Sequence, residues 1–357
     1  MNNHLRFAQI IAALDHNKLA YDVVLFDNDM RIIILEYGGR VLGPFAGDDG
    51  ESLYWCPAFL GDPAALGEVV SANGAGFGGE RIWIAPEVQY NIRDRANLGM
   101  YRLQPQLDPG SYRLTRSAPG QWRLHQRMTL DAYNTPSGQK TLELDIRIAP
   151  QADPLRHLGA YPALVDGVQY AGYAQTITLS ETRSDAIMSQ VWNLIQLNPG
   201  GHVLIPSSPC AEATDYHRGT PFAAALTPAS GGFRFPITGA HIFKMGYKAA
   251  HMTGRAGYIN TQDDGRAYLL VRAFGNNPSA LYIDEPADSP GHIGDSVQVY
   301  NDGGALGGFG ELECFGQAIG GAAGVSSATD TFRLWVYIGA PERITAIAEH
   351  LLGMTPA

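Results

Sequence analysis

Two glutamates in Gly310-Glu311-Leu312-Glu313-Cys314-Phe315-Gly316-Gln317 are candidates for acid–base chemistry. In a strand, Glu311 and Glu313 point to one face, and Leu312 and Cys314 to the other. Two carboxylates about 7 Å apart along a strand repel each other. One then holds its proton more tightly, which suits proton transfer near neutral pH. A solvent-facing polar stripe is the plain alternative, although Phe309 and Phe315 on either side favour partial burial. A second group is Gly78-Gly79-Glu80-Arg81-Ile82-Trp83-Ile84-Ala85-Pro86-Glu87. There Trp83 offers a ring face to the C–H face of a sugar, and Arg81 and Glu87 offer partners for its hydroxyls. The competing reading is a buried Trp beside a structural Arg–Glu pair.

A third group runs from Trp192-Asn193-Leu194-Ile195-Gln196 to Pro199-Gly200-Gly201-His202. Asn193 shares a strand face with Ile195 and Leu197, and Trp192 shares the other with Leu194 and Gln196. His202 is a candidate general acid, although a lone His is more often structural. Lys244, after Phe243, either reaches a ligand oxygen or snorkels. His251, Asp215, His217 and Asp295 complete the polar inventory. No HExxH spacing or DxDxDG calcium loop is present, so neither a metal nor any other cofactor is expected. GxSxG, Walker and helix-opening GxGxxG motifs are also missing. Gly74-Ala75-Gly76-Phe77-Gly78-Gly79 leads into an expected strand, so no helix terminus is available for a phosphate.

The elements that must hold these residues are mostly strands. The chain has 357 residues, 45% hydrophobic and 17% charged, against about 25% charged in average chains. Its 42 Gly and 22 Pro favour turns between strands. Residues 22–26 and 30–37 flank an Asp/Asn cluster and read as a hairpin, and Gly38–Gly43 reads as a bend or a close approach. Strands are expected over 112–114, 122–129, 140–148, 169–181, 186–196 and 202–205. The second half adds 233–235, 258–261, 267–274, 297–300, 311–317 and 331–338. Alternation is clearest over 140–147. Residues 4–17 read as a short amphipathic helix with Leu5, Ile10, Ile11 and Leu14 on one side. Only 340–352 reads strongly helical again, with Pro341 in its first turn. An all-β fold follows: one large antiparallel sandwich of two stacked sheets with short terminal helices. The expected division is 1–19 as a helical extension, 20–340 as the sandwich and 341–357 as a C-terminal helix.

A net charge of −10 without a basic run disfavours nucleic acid and anionic membranes. The first apolar run is too short to span a bilayer. Three separated cysteines, Cys56, Cys210 and Cys314, suit a reducing cytoplasm.

The order GGRVLGPF, GGERIWIAPE, WNLIQLNPGGHVLIP, FKMG, DSVQVYNDGG and GELECFGQ resembles the galactose-mutarotase-like superfamily over roughly residues 20–340, and most resembles an uncharacterised branch of it. The resemblance implies a β-supersandwich with a carbohydrate, a small sugar or an oligosaccharide, in a groove across one sheet. In mutarotases a Glu takes the anomeric hydroxyl proton and a His protonates the ring oxygen. The ring opens, C1–C2 rotates and the ring recloses. Glu313 matches that base by position, with Glu311 second, and Arg81 resembles the early sugar-binding Arg. The position of the His is occupied by Ser189, which cannot donate as an imidazolium does. His202, His251 or Lys244 would have to replace it. The expected function is therefore aldose 1-epimerase-like chemistry, with Arg81, Trp83, Glu87, Asn193, Lys244 and His251 binding the sugar. The alternatives are a carbohydrate-binding protein without turnover, a lyase-type β-elimination using Asn193, Lys244 and Arg255, and a structural or partner-binding β-sandwich.

Overall fold

Period-two burial shapes most of the chain. From Gly138 to Pro150, Leu142, Leu144, Ile146 and Ile148 are buried while Glu143 and Asp145 are half-buried. Such a strand covers one face of a core. The computed structural model describes residues 4–217 and 227–356. Its strands are β1 Tyr21–Leu25, β2 Met30–Leu35, β3 Arg40–Ala46, β4 Glu80–Ala85, β5 Arg113–Ala118, β6 Gln121–Ala132, β7 Gly138–Pro150, β8 Gln169–Glu181, β9 Ser189–Leu197 and β10 His202–Pro206. They continue with β11 Ala213–Asp215, β12 Thr227–Ala229, β13 Gly232–Pro236, β14 Phe243–Tyr247, β15 Arg255–Thr261, β16 Ala267–Phe274, β17 Val297–Asn301, β18 Gly310–Ile319 and β19 Ser327–Gly339. The helices are α1 Phe7–His16, α2 Pro63–Ser71, α3 Glu87–Tyr90, α4 Tyr161–Leu164 and α5 Pro341–Leu352.

The strands form two antiparallel sheets. One has nine strands in the order β1-β2-β3-β4-β9-β18-β17-β14-β11, and the other ten in the order β12-β13-β10-β15-β16-β19-β8-β7-β6-β5. Their facing sides share one core, with Ile82, Ile84, Ile195, Val299 and Leu312 from the first sheet and Leu144, Ile146, Leu270 and Leu334 from the second. Burying each such side chain contributes roughly 1.5–3 kcal/mol relative to exposure.

Helices cover parts of the outer faces. Helix α5 lays Ile344, Ile347, Ala348 and Leu351 on Leu269, Val271 and Tyr337 of the ten-stranded sheet. Helix α1 packs Phe7, Ile10, Ala13 and Leu14 on Ile33, Leu35, Leu42 and Phe45 near one edge of the nine-stranded sheet. Here Ile11 is only half-buried, and Phe7 and Ala13 take part in the apolar side.

Two sequence expectations change. Residues 40–46 form a strand rather than a bend, because Gly38 and Gly39 turn the chain before it and Arg40 to Phe45 pair with β2. Residues 63–71 form a helix beyond the terminal ones, started by Asp62, whose carboxylate accepts from the backbone N–H of Ala64 (2.9 Å) and Ala65 (3.2 Å). Among the described residues, no helix is long and apolar enough to cross a membrane.

Candidate functional site

The side chains that meet lie on the outer face of the nine-stranded sheet, away from the shared core. Strand parity sends Arg81 and Trp83 outward on β4, Trp192 and Gln196 on β9, Glu311 and Glu313 on β18, Tyr300 on β17 and Lys244 on β14, while Ile82, Ile195, Leu312, Val299 and Met245 point into the core. Register then aligns them. Trp83 pairs with Trp192, and Trp192 with Phe315. Glu311 pairs with both Gln196 and Tyr300, and Tyr300 with Lys244. Gly79 lets β4 begin beside β3: its φ is +70°, and a Cβ there would lie 2.5 Å from the Val41 carbonyl oxygen.

Three loops wall off a cavity of about 340 Å³ above these strands, at the small end of the roughly 300–1,000 Å³ usual for small-molecule sites. One carries Glu87, Leu98 and Tyr101, the second Glu285, Pro286 and Ala287, and the third Leu306 and Phe309. Arg95 ties the first to the second, pairing with Glu285 at 2.8 Å and donating to the Ala287 carbonyl at 2.8 Å. Aromatic walls come from Trp83, Tyr101, Trp192, Tyr216, Tyr300 and Phe309.

Charge on the floor is layered. Arg81 donates to Glu311 at 2.8 Å, and its guanidinium sits 4.2 Å from the centre of the Trp83 ring. Gln196 donates to the same Glu311 oxygen at 3.0 Å. Lys244 donates to Glu87 at 3.0 Å, lies 3.5 Å from Glu313 and sits 4.4 Å from the Trp192 ring centre. Glu313 accepts from the Trp192 indole N–H at 2.8 Å through Oε2, and its buried Oε1 has no partner among the described residues. Behind it, buried Asp284 accepts from Gln298 (2.9 Å) and from the Glu87 backbone N–H (2.8 Å).

Three carboxyl groups, Glu87, Glu311 and Glu313, thus share this floor with two cations, and Asp284 lies behind them. Burial, together with the charges of Glu311, Glu87 and Asp284, outweighs the attraction of Lys244 and pushes Glu313 up to about 8. Burial works against the Lys244 charge, but the carboxyl groups packed around it outweigh this and hold it above the usual lysine range. At neutral pH Glu313 therefore carries a proton. His217, also lining the cavity, is pushed down by burial and by Lys244, so its imidazole is neutral there.

The sequence candidates separate cleanly. Arg81, Trp83, Glu87, Lys244, Glu311 and Glu313 all line the cavity. Asn193 instead lies between the sheets, where it and Arg272 donate to Glu80 at 2.9 and 2.5 Å and the Tyr173 hydroxyl donates to the same carboxylate. His202 is on β10 of the other sheet, and His251 sits in a turn with Nδ1 2.9 Å from the Ser208 hydroxyl; neither reaches the cavity. Ser189 is buried against the Tyr90 hydroxyl at 2.6 Å. Arg255 donates to the Leu351 carbonyl at 2.7 Å on the far sheet, so Asn193, Lys244 and Arg255 do not meet. Sequence reasoning did not single out the cavity roles of His217, Tyr216, Tyr101 and Tyr300. The Asp215-Tyr216-His217 run was the available signal, at the end of the three-residue strand β11. Among the described residues, no cluster of His, Cys, Asp or Glu is arranged to hold a metal ion.

Fold and site together define a two-sheet antiparallel β-sandwich with a charged, aromatic-walled cavity on one outer face. The chain belongs to a family of unknown function, DUF6786, which matches residues 6–356. No curated protein matches it. Its structural neighbours are mutarotase-like, aldose 1-epimerase-like and glycosidase-associated folds at low identity. A putative aldose 1-epimerase from Klebsiella pneumoniae is 10% identical, with 96% of this chain and 90% of that chain covered and a TM-score of 0.46. A galactose mutarotase related enzyme from Lactobacillus acidophilus is 7% identical, with 90% and 97% covered and a TM-score of 0.39. The galactosidase domain of an alpha-galactosidase-sucrose kinase is 12% identical, with 88% and 41% covered and a TM-score of 0.34.

Proposed function

We propose that this cavity binds a sugar and interconverts its anomers by paired proton transfer. The observation that carries the reading is Glu313: a carboxyl raised to about 8, with one oxygen lacking a partner among the described residues, on the floor of an aromatic-walled cavity. A pKa near the working pH is what proton transfer in both directions requires. Protonated Glu313 donates to the ring oxygen, and neutral His217 takes the anomeric hydroxyl proton. The C1–O5 bond breaks and an aldehyde forms. Rotation about C1–C2 presents its other face, and the reverse transfers restore both groups as the ring closes. This assigns the acid role to Glu313, where the resemblance had made it the base, because its carboxyl is protonated at neutral pH. The half-buried Trp83 ring supplies an apolar surface for the sugar C–H groups, and Arg81, Glu311 and Glu87 supply hydroxyl partners.

A second reading, sugar binding without turnover, rests on the 1% exposure of the Glu313 side chain: Glu87, at 26%, is far more open to a ligand. Exchange NMR of the anomeric protons of D-glucose and D-galactose separates the two. The first reading expects protein-dependent exchange, reduced about 10²–10⁴-fold in Glu313→Gln. Binding without accelerated exchange would establish the second. Unchanged exchange in Glu313→Gln would remove this residue from the mechanism.

A further inference from the structure

The cavity has more to say about its ligand than the ring it seats. Both cations on its floor already have a carboxylate partner: Arg81 has Glu311 at 2.8 Å and Lys244 has Glu87 at 3.0 Å. A ligand phosphate or carboxylate would find both cations already paired, and would add a further anion beside Glu311 and Glu87.

The mouth is apolar instead. Leu98, Tyr101 and Leu306 line the cavity yet remain 49%, 44% and 66% exposed. Each is held by a built turn. The Asn97 side chain accepts from the Gly99 N–H at 3.1 Å, fixing the turn that presents Leu98. Tyr101 is bridged to Ile92. Buried Asp302 accepts from the N–H groups of Leu306 (3.1 Å) and Gly308 (2.9 Å). Gly307, at φ +125°, lies flat on Trp55: a Cβ there would sit 2.5 Å from the indole. Holding out apolar side chains in this way loses their burial, and an apolar rim on a cavity marks a place where a ligand completes that burial.

We propose that the ligand is an uncharged sugar bearing an apolar substituent, its ring inside the cavity and its substituent on Leu98, Tyr101 and Leu306. The inference rests on the sugar-binding reading above and adds the ligand's charge and its second part.

Calorimetric titration of the full chain tests it with matched probes in the glucose and galactose series: 6-O-benzyl and 6-O-methyl hexoses, phenyl and methyl glycosides, hexose 6-phosphate and hexuronic acid. The expected result is that the better aromatic probe binds at least about tenfold tighter than its methyl counterpart. The two anions should bind more weakly than either neutral form. In Leu98→Ser/Leu306→Ser, whose altered positions are exposed, the aromatic-to-methyl ratio should fall towards one. Equal binding of aromatic and methyl probes overturns the inference while leaving the sugar reading intact. So does an anion that binds as well as the neutral forms, or a preference that survives the double substitution. Failure of every probe to bind overturns the sugar reading and this inference with it.

Discussion

Arg81 and Glu311 show how much a single pair must hold on this floor. Both are buried and joined at 2.8 Å. Removing one partner leaves the other charge buried alone, which costs about 3–5 kcal/mol. Arg81→Met is therefore expected to lower unfolding free energy by that order, and Arg81→Met/Glu311→Gln to recover part of it, both read by denaturant unfolding. Glu313 makes a different prediction. Its carboxyl is raised from 4.5 to about 8 in the folded protein. The unfolded chain thus ionises it first, so its contribution to stability is complete below a pH of about 4.5 and is lost as pH rises to about 8. Glu313→Gln has no such proton to lose. The melting temperature of the variant relative to wild type should rise across that window; a flat difference would show that the carboxyl is not raised. At this scale much was legible. That Glu311 shares a face with Glu313, and Arg81 with Trp83, follows from period two alone. His217 was not, because nothing in Asp215-Tyr216-His217 shows which loop faces the cavity.

Strands β9 and β18 carry function on one face and the core on the other. Trp192 faces the cavity and Asn193 the Glu80–Arg272 network, one residue apart. Alternation assigned Asn193 to the same face as Ile195 and Leu197, which the structure bears out. It could not say that this face is the closed one, because both faces of β9 are buried and both carry polar groups. Helix α5 lies on the outer face of the other sheet. Ile347, fully buried there, should cost about 2–5 kcal/mol on substitution by Ala, with sugar affinity unchanged. Urea unfolding and titration calorimetry of Ile347→Ala check both halves, and a loss of affinity would mean that the two outer faces are coupled. Helix α2 escaped sequence reading because its signal, Asp62 before Pro63, is brief, and its single fully buried apolar residue is Leu66.

For the whole molecule, the sheet order brings β4, β9, β18, β17 and β14 side by side, so residues 81, 192, 244, 300, 311 and 313 share one surface. Arg81 and Glu311 are separated by 230 positions. The sequence by itself determined the architecture's ingredients: many short strands, an acidic pair sharing one strand face, an Arg and a Trp close together, a helical tail and an acidic balance unsuited to polyanions. These are local properties, set by backbone periodicity, turn chemistry and charge count. Only the tertiary structure decided which strands are neighbours, which of their faces is roofed by loops, and that Lys244 rather than His202 or His251 stands beside Glu313. Those outcomes depend on pairing between distant segments and on burial from both sides. The same burial, with three nearby carboxyls, turns an ordinary glutamate into a group that holds its proton at neutral pH.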